Sequence, residues 1–283
     1  MVRRGLVLAG GGVAGIAWEI GLLAGIHEEA PHITPPLSET DLTVGTSAGS
    51  VVAAALASGA DLDALLSAQL DERHHEISAD LDLAEMVAGF TEAIRGASSP
   101  DETRQRIGSM ALRAKTVPEA ARREVISARL PSHEWPPGTV LITAIDVATG
   151  ELEVFDRNSG VLLVDAVAAS CAVPGVWPPV TIGTRRFMDG GMRSVTNADL
   201  ATGMDRVLVV TTMPPGTPGF FGASVNDEIE SLQPAAVHVI HADASSIAAF
   251  GTNPLDPETR RPAAIAGLAQ GRAVAAEVAA FWS

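Results

Sequence analysis

The sequence of residues 41–50 is Asp-Leu-Thr-Val-Gly-Thr-Ser-Ala-Gly-Ser, and the rest of the chain is interpreted around this stretch. A short β-branched run leads into Gly45-Thr46-Ser47-Ala48-Gly49, and small, helix-compatible residues follow at 51–57. A strand, a sharp turn and a helix are the context in which Gly-x-Ser-x-Gly forms a nucleophile elbow. The turn pushes the serine hydroxyl above the strand ends, and glycine neighbours let the helix pass close by. A glycine-rich turn whose serine only caps the helix is the alternative.

Composition indicates a globular protein, which we interpret as a single domain of residues 1–283. Hydrophobic residues make up 47% of the 283 residues, enough for one substantial core. The formal net charge of −15 repels phosphate backbones, so no nucleic-acid partner is expected. It also disfavours strong attraction to anionic lipid surfaces, although single lipid molecules could still enter a pocket. The single cysteine, Cys171, excludes an intrachain disulfide and favours a reducing, cytoplasmic location.

The amino-terminal 26 residues resemble a signal peptide or membrane anchor at first sight. Residues 5–26 carry one charge, Glu19, but glycine occupies seven of these 22 positions and no clear cleavage site follows. We therefore predict a buried strand over Arg4–Ala9, a glycine turn, and a buried helix over Val13–Glu29.

The turn Gly10-Gly11-Gly12-Val13-Ala14-Gly15 matches Gly-x-Gly-x-x-Gly, the pattern of a dinucleotide-binding start. That function needs an acidic residue at the end of the second strand. The next strand, near Thr43, ends in the serine elbow instead. Unpaired N–H groups at such a turn can equally hold a developing oxyanion, which favours a hydrolase. A packing role for the glycines remains the alternative.

Residues 61–130 are predicted to be mainly helical, with helices over Leu81–Ile94, Asp101–Ala114 and Pro118–Leu130. A locally basic patch on the last two helices predicts a solvated helical face, with a cap that meets a lipid surface as the alternative. The adjacent His74 and His75 have no third ligand at a suitable spacing, so no metal site is expected. The patch consists of Arg104, Arg106, Arg113, Lys115, Arg122, Arg123 and Arg129.

The second half of the chain alternates strands and helices. Residues 139–145 and 151–155 are predicted to form a β-hairpin or a close pair of strands. An ordered apolar loop with Trp177 is expected either to line an acyl chain or to fill the core. The remaining predictions are a helix over 162–169, extended chain over 185–188, buried strands over 206–211 and 237–240, and a final helix over 263–282.

A serine nucleophile needs a base, and Asp189 is the best candidate. It ends the extended segment, and Gly190-Gly191 let the backbone turn so that another loop can approach the carboxylate. A free aspartate, with a pKa of about 3.9, is a poor base at neutral pH. It becomes useful when it is hydrogen-bonded to the serine in a partly dry site. An Asp-Gly-Gly turn without chemistry is the alternative.

The three glycine-bracketed strand ends, which we expect in one parallel sheet, resemble the patatin-like phospholipase family from about Gly5 to Gly203. The glycine turn resembles the family's oxyanion loop, the pentapeptide its elbow, and Asp189-Gly190-Gly191 its aspartate motif. Residues 169–174 and 178–180 resemble the segment before that aspartate. The chain departs from many members at Ala14, where they carry Arg or Lys.

The resemblance implies an α/β fold with three α/β/α layers around a central, mostly parallel sheet, which residues 204–283 complete before a final helix. It also implies an acyl-lipid hydrolase with a Ser47–Asp189 dyad, an acyl-enzyme intermediate and neither a cofactor nor a metal. The expected partners are an acyl-lipid substrate and, transiently, a membrane surface. The site residues it implies are Ser47 and Asp189 for catalysis, Gly10, Gly11 and Gly12 for the oxyanion, and the motif glycines Gly15, Gly45, Gly49, Gly190 and Gly191.

Two other functions stay open at the level of sequence. An α/β-hydrolase-type esterase could use Ser47 and Asp189 with His241 or His238 as the base, because the chain order suits that triad. A non-catalytic lipid- or acyl-binding module could keep the same fold, and Ala14 is the only hint of it.

Overall fold

The computed structural model describes residues 2–33, 39–73, 76–78, 83–219 and 222–283, with residues 83–85 described by their backbone. His74, His75 and the predicted start of a helix at 81–82 lie outside these residues. Within them the chain forms one eight-stranded sheet. The strands are β1 (Arg4–Leu8), β2 (Leu42–Gly45), β3 (Val140–Asp146), β4 (Leu152–Phe155), β5 (Val180–Ile182), β6 (Arg185–Asp189), β7 (Arg206–Thr211) and β8 (Ala236–His241).

The sheet is mostly parallel, as predicted. Strands β3, β2, β1, β7 and β8 lie side by side in this order and are all parallel. Strands β4 and β6 pair antiparallel with β3, and β5 pairs antiparallel with β6. The expectation that the strand leading to Asp189 joins the parallel set is therefore wrong. A tight turn at Gly183-Thr184 makes β5 and β6 a hairpin, and a two-residue turn joins only antiparallel strands.

Helices cover both faces of the sheet, which gives the three layers that were predicted. Alternate residues of β1 point to opposite faces. Leu6 and Leu8 join a large core with buried residues of helices on one face, whereas Val7 joins a smaller core that includes Ala198 and Ala201 on the other. The helices are α1 (Gly12–Glu29), α2 (Ala48–Ala57), α3 (Leu62–Leu70), α4 (Leu83–Ile94), α5 (Pro100–Arg113), α6 (Glu119–Arg129), α7 (Leu163–Ser170), α8 (Val225–Ser231), α9 (Ala244–Ala249) and α10 (Arg260–Trp282).

Helix α1 is buried almost throughout and packs closely against α10. Glycines make this approach possible, since a Cβ atom on Gly21 would lie 2.2 Å from the Ala264 carbonyl oxygen. Likewise, a Cβ on Gly271 would lie 2.1 Å from the Leu22 carbonyl oxygen. Among the described residues, one helix, Pro257–Trp282, is long and apolar enough to cross a membrane by length and composition alone. Glycines line its contact with α1, and 33% of its apolar stretch is buried.

Candidate active site

Ser47 occupies the sharp turn between β2 and α2. Its φ of 50° and ψ of −114° are rare for a residue with a side chain, and such strain persists only where the surroundings fix the backbone. The Ser47 N–H donates to Ser170 Oγ at 2.8 Å. Its carbonyl oxygen accepts from Ser50 Oγ at 2.6 Å and from the Cys171 thiol at 3.2 Å. The backbone of the turn is thus held on both sides of the serine.

Two glycines bracket this turn, and neither position has room for a side chain. A Cβ atom on Gly49 would lie 2.0 Å from the Leu8 carbonyl oxygen, and one on Gly45 would lie 2.6 Å from Ser50 Cα. Helix α2 can therefore start directly over β1 and β2 only with glycine at both places. The geometry is that of a nucleophile elbow.

Asp189 reaches the elbow from the opposite direction. Strands β4 and β6 both pair with Ala144 of β3, so they occupy opposite edges of that strand. Strands β4 and β2 both pair with Ile142 of β3, so they too occupy opposite edges of β3. Strands β2 and β6 therefore both lie on the edge of β3 that β4 leaves free. Because Gly45 lies opposite Ile142 and Asp189 opposite Ala144, the carboxyl end of β6 meets the carboxyl end of β2. Ser47 and Asp189 are brought together there.

Asp189 is 3% exposed, and its carboxyl accepts a hydrogen bond from the Gly191 N–H at 2.7 Å. Burial raises the pKa of Asp189 from 3.8 to about 7. Interactions with the Ser47 hydroxyl, the Gly191 N–H and the positive charge of Arg122 lower this pKa and so limit the rise. A carboxyl with a pKa near neutrality can take and return a proton at physiological pH.

Glycines also bracket the aspartate. A Cβ on Gly190 would lie 2.3 Å from Thr143 Oγ1, and one on Gly191 would lie 2.9 Å from Asp189 Oδ1. The chain can therefore turn against β3 and leave the carboxylate open to Ser47.

A buried polar network that sequence reasoning missed ties the two loops together. Asn197 has a left-handed backbone with φ of 50°, and its Nδ2 donates to Thr46 Oγ1 at 3.0 Å and to the Ser194 carbonyl oxygen at 2.8 Å. Thr46 Oγ1 in turn lies 3.0 Å from Thr143 Oγ1. Thr46 adjoins the nucleophile, so the network fixes the elbow relative to the loop after Asp189. The only sequence feature that could have indicated this network is the run Ser194-Val195-Thr196-Asn197, which closely follows the aspartate motif.

The glycine turn after β1 lies beside the elbow because β1 and β2 end level, with Leu8 opposite Gly45. The Gly10 N–H donates to the Val195 carbonyl oxygen at 2.8 Å. The N–H groups of Gly11 and Gly12 donate to no acceptor among the described residues. Gly12 begins α1, so both N–H groups stand at the positive end of an 18-residue helix.

The crowding around this turn also requires glycine. A Cβ on Gly11 would lie 2.6 Å from Thr212 Cγ2, and Gly12 has a φ of 66°. A Cβ on Gly15, one turn into α1, would lie 3.2 Å from Ala48 Cβ, where α1 and α2 approach each other.

Ser47 and Asp189 open onto a cavity of about 490 Å³, which is the size of a small-molecule site. Gly10, Gly11 and Gly12 line the same cavity. Most of its other walls are apolar, and part of them comes from residues 247–255, beyond the segment that carries the motifs. The apolar side chains include Met86, Val173, Met192, Met213, Ile247, Phe250 and Leu255.

The model of the patatin-like phospholipase family matches residues 6–202. The chain belongs to this family. Membership implies lipid acyl hydrolase, that is carboxylic ester hydrolase, activity. The matched segment agrees with the resemblance seen in the sequence over about residues 5–203, and it contains both Ser47 and Asp189.

Solved structures similar to this patatin-like chain include bacterial proteins. VipD from Legionella pneumophila is 14% identical with a TM-score of 0.47, over 98% of this chain and 67% of VipD. The type III effector ExoU is 17% identical with a TM-score of 0.44, over 98% of this chain and 53% of ExoU. ExoU of Pseudomonas aeruginosa in complex with SpcU is 15% identical with a TM-score of 0.36. The chain thus spans about half the length of ExoU. No curated protein matches it significantly.

Neither histidine considered for a triad lies at the site of this patatin-like chain. His241 ends β8, which β1 and β7 separate from β2, and its Nδ1 lies 2.9 Å from the Met213 carbonyl oxygen. At about 4.8 Å per strand, β8 lies roughly 14 Å from β2. His238 lies on the same strand, β8, and its ring packs against Phe281 with the ring centres 5.4 Å apart. Asp189, unlike either histidine, lines the same cavity as Ser47.

The basic patch differs from its prediction. Arg104 and Arg122 are buried, and the side chain of Arg129 is 9% exposed, so the patch is not a uniformly solvated face. Arg129 pairs with Glu76, whereas Arg122 stacks over Trp177 with its Cζ 3.8 Å from the ring centre. The loop with Trp177, which was expected either to line an acyl chain or to fill the core, thus packs against the guanidinium of Arg122. The charge pattern along α6 did not indicate that Arg122 and Arg129 are buried, because helical spacing does not reveal which other elements pack against each face of the helix.

Proposed function

We propose that the chain hydrolyses carboxylic ester bonds of phospholipids or related acyl lipids through a Ser47–Asp189 dyad and an acyl-enzyme intermediate. One observation carries the proposal. The hydroxyl of a strained elbow serine interacts with a buried carboxyl whose pKa is about 7, and both line the wall of a large apolar cavity. The cavity suits an acyl chain, and the pair suits attack on the ester at its end.

In the proposed mechanism, Ser47 Oγ attacks the ester carbonyl carbon while Asp189 takes the hydroxyl proton. The carbonyl oxygen becomes an oxyanion, and the unpaired N–H groups of Gly11 and Gly12 are the donors best placed to stabilise it. Because the Gly10 N–H already donates to Val195, the Gly10 residue shapes the turn and the next two residues supply the donors. Collapse of the intermediate breaks the ester C–O bond, and Asp189 returns its proton to the leaving alcohol.

The second half of the cycle uses the same groups. Asp189, again ionised, takes a proton from water as that water attacks the acyl-enzyme carbonyl. The second oxyanion collapses, the fatty acid leaves, and the proton returns to Ser47 Oγ. One carboxyl therefore serves as base and acid in turn, which a pKa near 7 allows at neutral pH.

Hydrolysis of a lipid panel by the wild type, Ser47→Ala and Asp189→Asn tests the proposal. Both variants should fold and lose at least about 1000-fold in kcat, because removing either member of a catalytic pair leaves only residual catalysis. Labelling by a fluorophosphonate probe should depend on Ser47. His241→Ala is the matched control and should keep near-full turnover. Unchanged turnover in Ser47→Ala would refute the assignment, and an unlabelled, inactive wild type would indicate a lipid-binding module.

A further inference from the structure

Arg122 is a buried cation that forms no ion pair with any residue that the structure describes, although the charges of Glu76 and Asp189 act on it from a distance. It is 4% exposed, and neither its Nε nor its Nη1 donates to an acceptor among the described residues. Other arginines of the same helix are paired, since Arg123 binds Asp165 and Arg129 binds Glu76. Burial, and then the positive charge of Arg129, lower the pKa of Arg122 to about 9, against smaller opposing effects of Cys171, Glu76 and Asp189. Arg122 therefore stays cationic at neutral pH in a place that disfavours a cation.

An unpaired buried charge is strongly destabilising, and proteins generally pair such groups or expose them. Stacking on Trp177 offsets only part of this cost. The folded chain thus contains a guanidinium with free donors that an arriving anion would satisfy. A planar guanidinium with parallel N–H groups matches the oxygens of a phosphate or carboxylate.

The position of Arg122 indicates where that anion would come from. The side chain lines a small cavity together with Ser47, Gly12, Cys171 and Trp177. Four residues, Gly12, Ser47, Val173 and Leu255, line both this cavity and the large apolar one. The small cavity measures about 10 Å³, the space of roughly one water-sized oxygen atom. It can admit an oxygen of an anion whose remaining atoms stay in the large cavity, beside Ser47.

We propose that Arg122 binds a phosphate oxygen of a glycerophospholipid whose ester lies at Ser47, and so selects phospholipids over neutral acylglycerols. The inference rests on the proposed function. The large apolar cavity holds the acyl chain, and Arg122, in the small cavity that adjoins it at Ser47, receives the anionic group. A neutral diacylglycerol fills the apolar cavity equally well but leaves the guanidinium unpaired.

The test compares two soluble substrates with the same acyl chains, dihexanoyl glycerophosphocholine and dihexanoylglycerol, both as monomers. The measured quantity is the ratio of their kcat/KM values, which cancels any effect of a substitution on the common chemical step. Arg122→Met keeps an apolar stem over Trp177 and should lower this ratio by about 10- to 100-fold, the effect of a lost charge-assisted hydrogen bond. Arg122→Lys keeps the positive charge but loses the paired N–H groups of the guanidinium, so its ratio should lie between those of the wild type and Arg122→Met. Arg123→Met is the matched control on the same helix and should leave the ratio unchanged.

Thermal unfolding of the same variants separates a binding role from a structural one. Replacing an unpaired buried charge by an apolar side chain should leave Tm unchanged or raise it. A wild type that hydrolyses both substrates equally, or an Arg122→Met variant that lowers both rates by the same factor, would overturn the inference and leave the proposed function intact. Failure of the wild type on both substrates, together with no fluorophosphonate labelling, would instead overturn the proposed function and this inference with it.

Discussion

The side chains of Ser47 and Asp189 interact although these residues lie at the ends of strands that run in opposite directions. A parallel arrangement would set the two strand ends side by side, separated by a strand spacing. The antiparallel β6 instead brings its end against that of β2 on one edge of β3. The carboxyl is thereby enclosed between β3, the elbow and the loop after it, and this enclosure raises its pKa to about 7.

This pKa predicts the pH dependence of the reaction. Asp189 must be ionised to accept the serine proton, so kcat/KM should rise with pH and reach half its plateau near pH 7. Initial rates on a soluble ester between about pH 5 and about pH 9 provide the measurement. A profile that is already flat from about pH 5 upward would indicate a carboxyl with an ordinary pKa, and the proposed base would be wrong.

The same pKa predicts how stability depends on pH. The unfolded carboxyl releases its proton near pH 3.8, and the folded one near pH 7. Between these values the folded state holds the additional proton, so the contribution of Asp189 to stability is full below pH 3.8 and is lost as pH rises through about 7.

The side chain of Asn cannot titrate, so Asp189→Asn should not lose this stability as the pH rises. Its free energy of unfolding relative to the wild type should therefore increase across the same window, by up to about 4 kcal/mol. Urea unfolding at several pH values measures the difference. A constant difference between about pH 4 and about pH 8 would contradict the buried, protonated carboxyl.

The elbow predicts an asymmetry between glycines. Gly49→Ala would place Cβ 2.0 Å from the Leu8 carbonyl oxygen, which belongs to the rigid backbone of β1. We expect this variant to lose about 3 kcal/mol or more, or to fail to fold. Gly138→Ala is the control, because a Cβ there would meet no atom within 4 Å, and its effect should stay within about 0.5 kcal/mol. Denaturant midpoints compare the two, and equal effects would rule out the close approach of α2 to β1.

The sequence sufficed for the parts of the site whose signals are local. Ser47 and the glycine turn after β1 each follow a short apolar strand, and backbone crowding at Gly45 and Gly49 explains why glycine is required there. Asp189 could be placed at a strand end because it also follows a short extended segment and precedes two glycines.

The direction of that strand could not be predicted, because it depends on pairing with β3 and on a three-residue strand, Val180–Ile182, that follows two prolines and carries little pattern. The contacts made by Ser170, Asn197 and Arg122 could not be predicted either. Those of Ser170 and Asn197 join residues more than 100 positions apart, and that of Arg122 depends on which face of a polar helix is covered. The periodicity of the sequence contains neither kind of information.

Ser170 supports the strained turn and should matter for stability. Its hydroxyl oxygen accepts the Ser47 N–H at 2.8 Å in a buried position. Ser170→Ala would leave that N–H without a partner, which should cost about 1–3 kcal/mol and lower kcat by loosening the nucleophile. Ser58→Ala is the control, since the Ser58 hydroxyl donates to the Ala55 carbonyl oxygen at a half-exposed helix end. If both variants unfold at the same denaturant concentration, the bond to Ser47 does not stabilise the elbow.

Arg122 couples the anion site to the base, and this coupling can be measured apart from substrate preference. Its positive charge lowers the pKa of Asp189, against the larger effect of burial. The titratable groups that act on Arg122 are Arg129, Cys171, Glu76 and Asp189. Burial raises the pKa of the Cys171 thiol, so this group is uncharged at neutral pH. Since Arg129 and Glu76 neutralise each other, removing Arg122 should raise the pKa of Asp189.

In Arg122→Met, the midpoint of the kcat/KM profile on the neutral substrate should therefore move to higher pH than in the wild type. The neutral substrate is the right choice because it brings no charge of its own to the site. Arg123→Met removes a cation from the same helix but from a half-exposed position paired with Asp165, and its midpoint should match the wild type. A midpoint that stays in place in Arg122→Met would show that the guanidinium lies too far from the carboxyl to influence its ionisation.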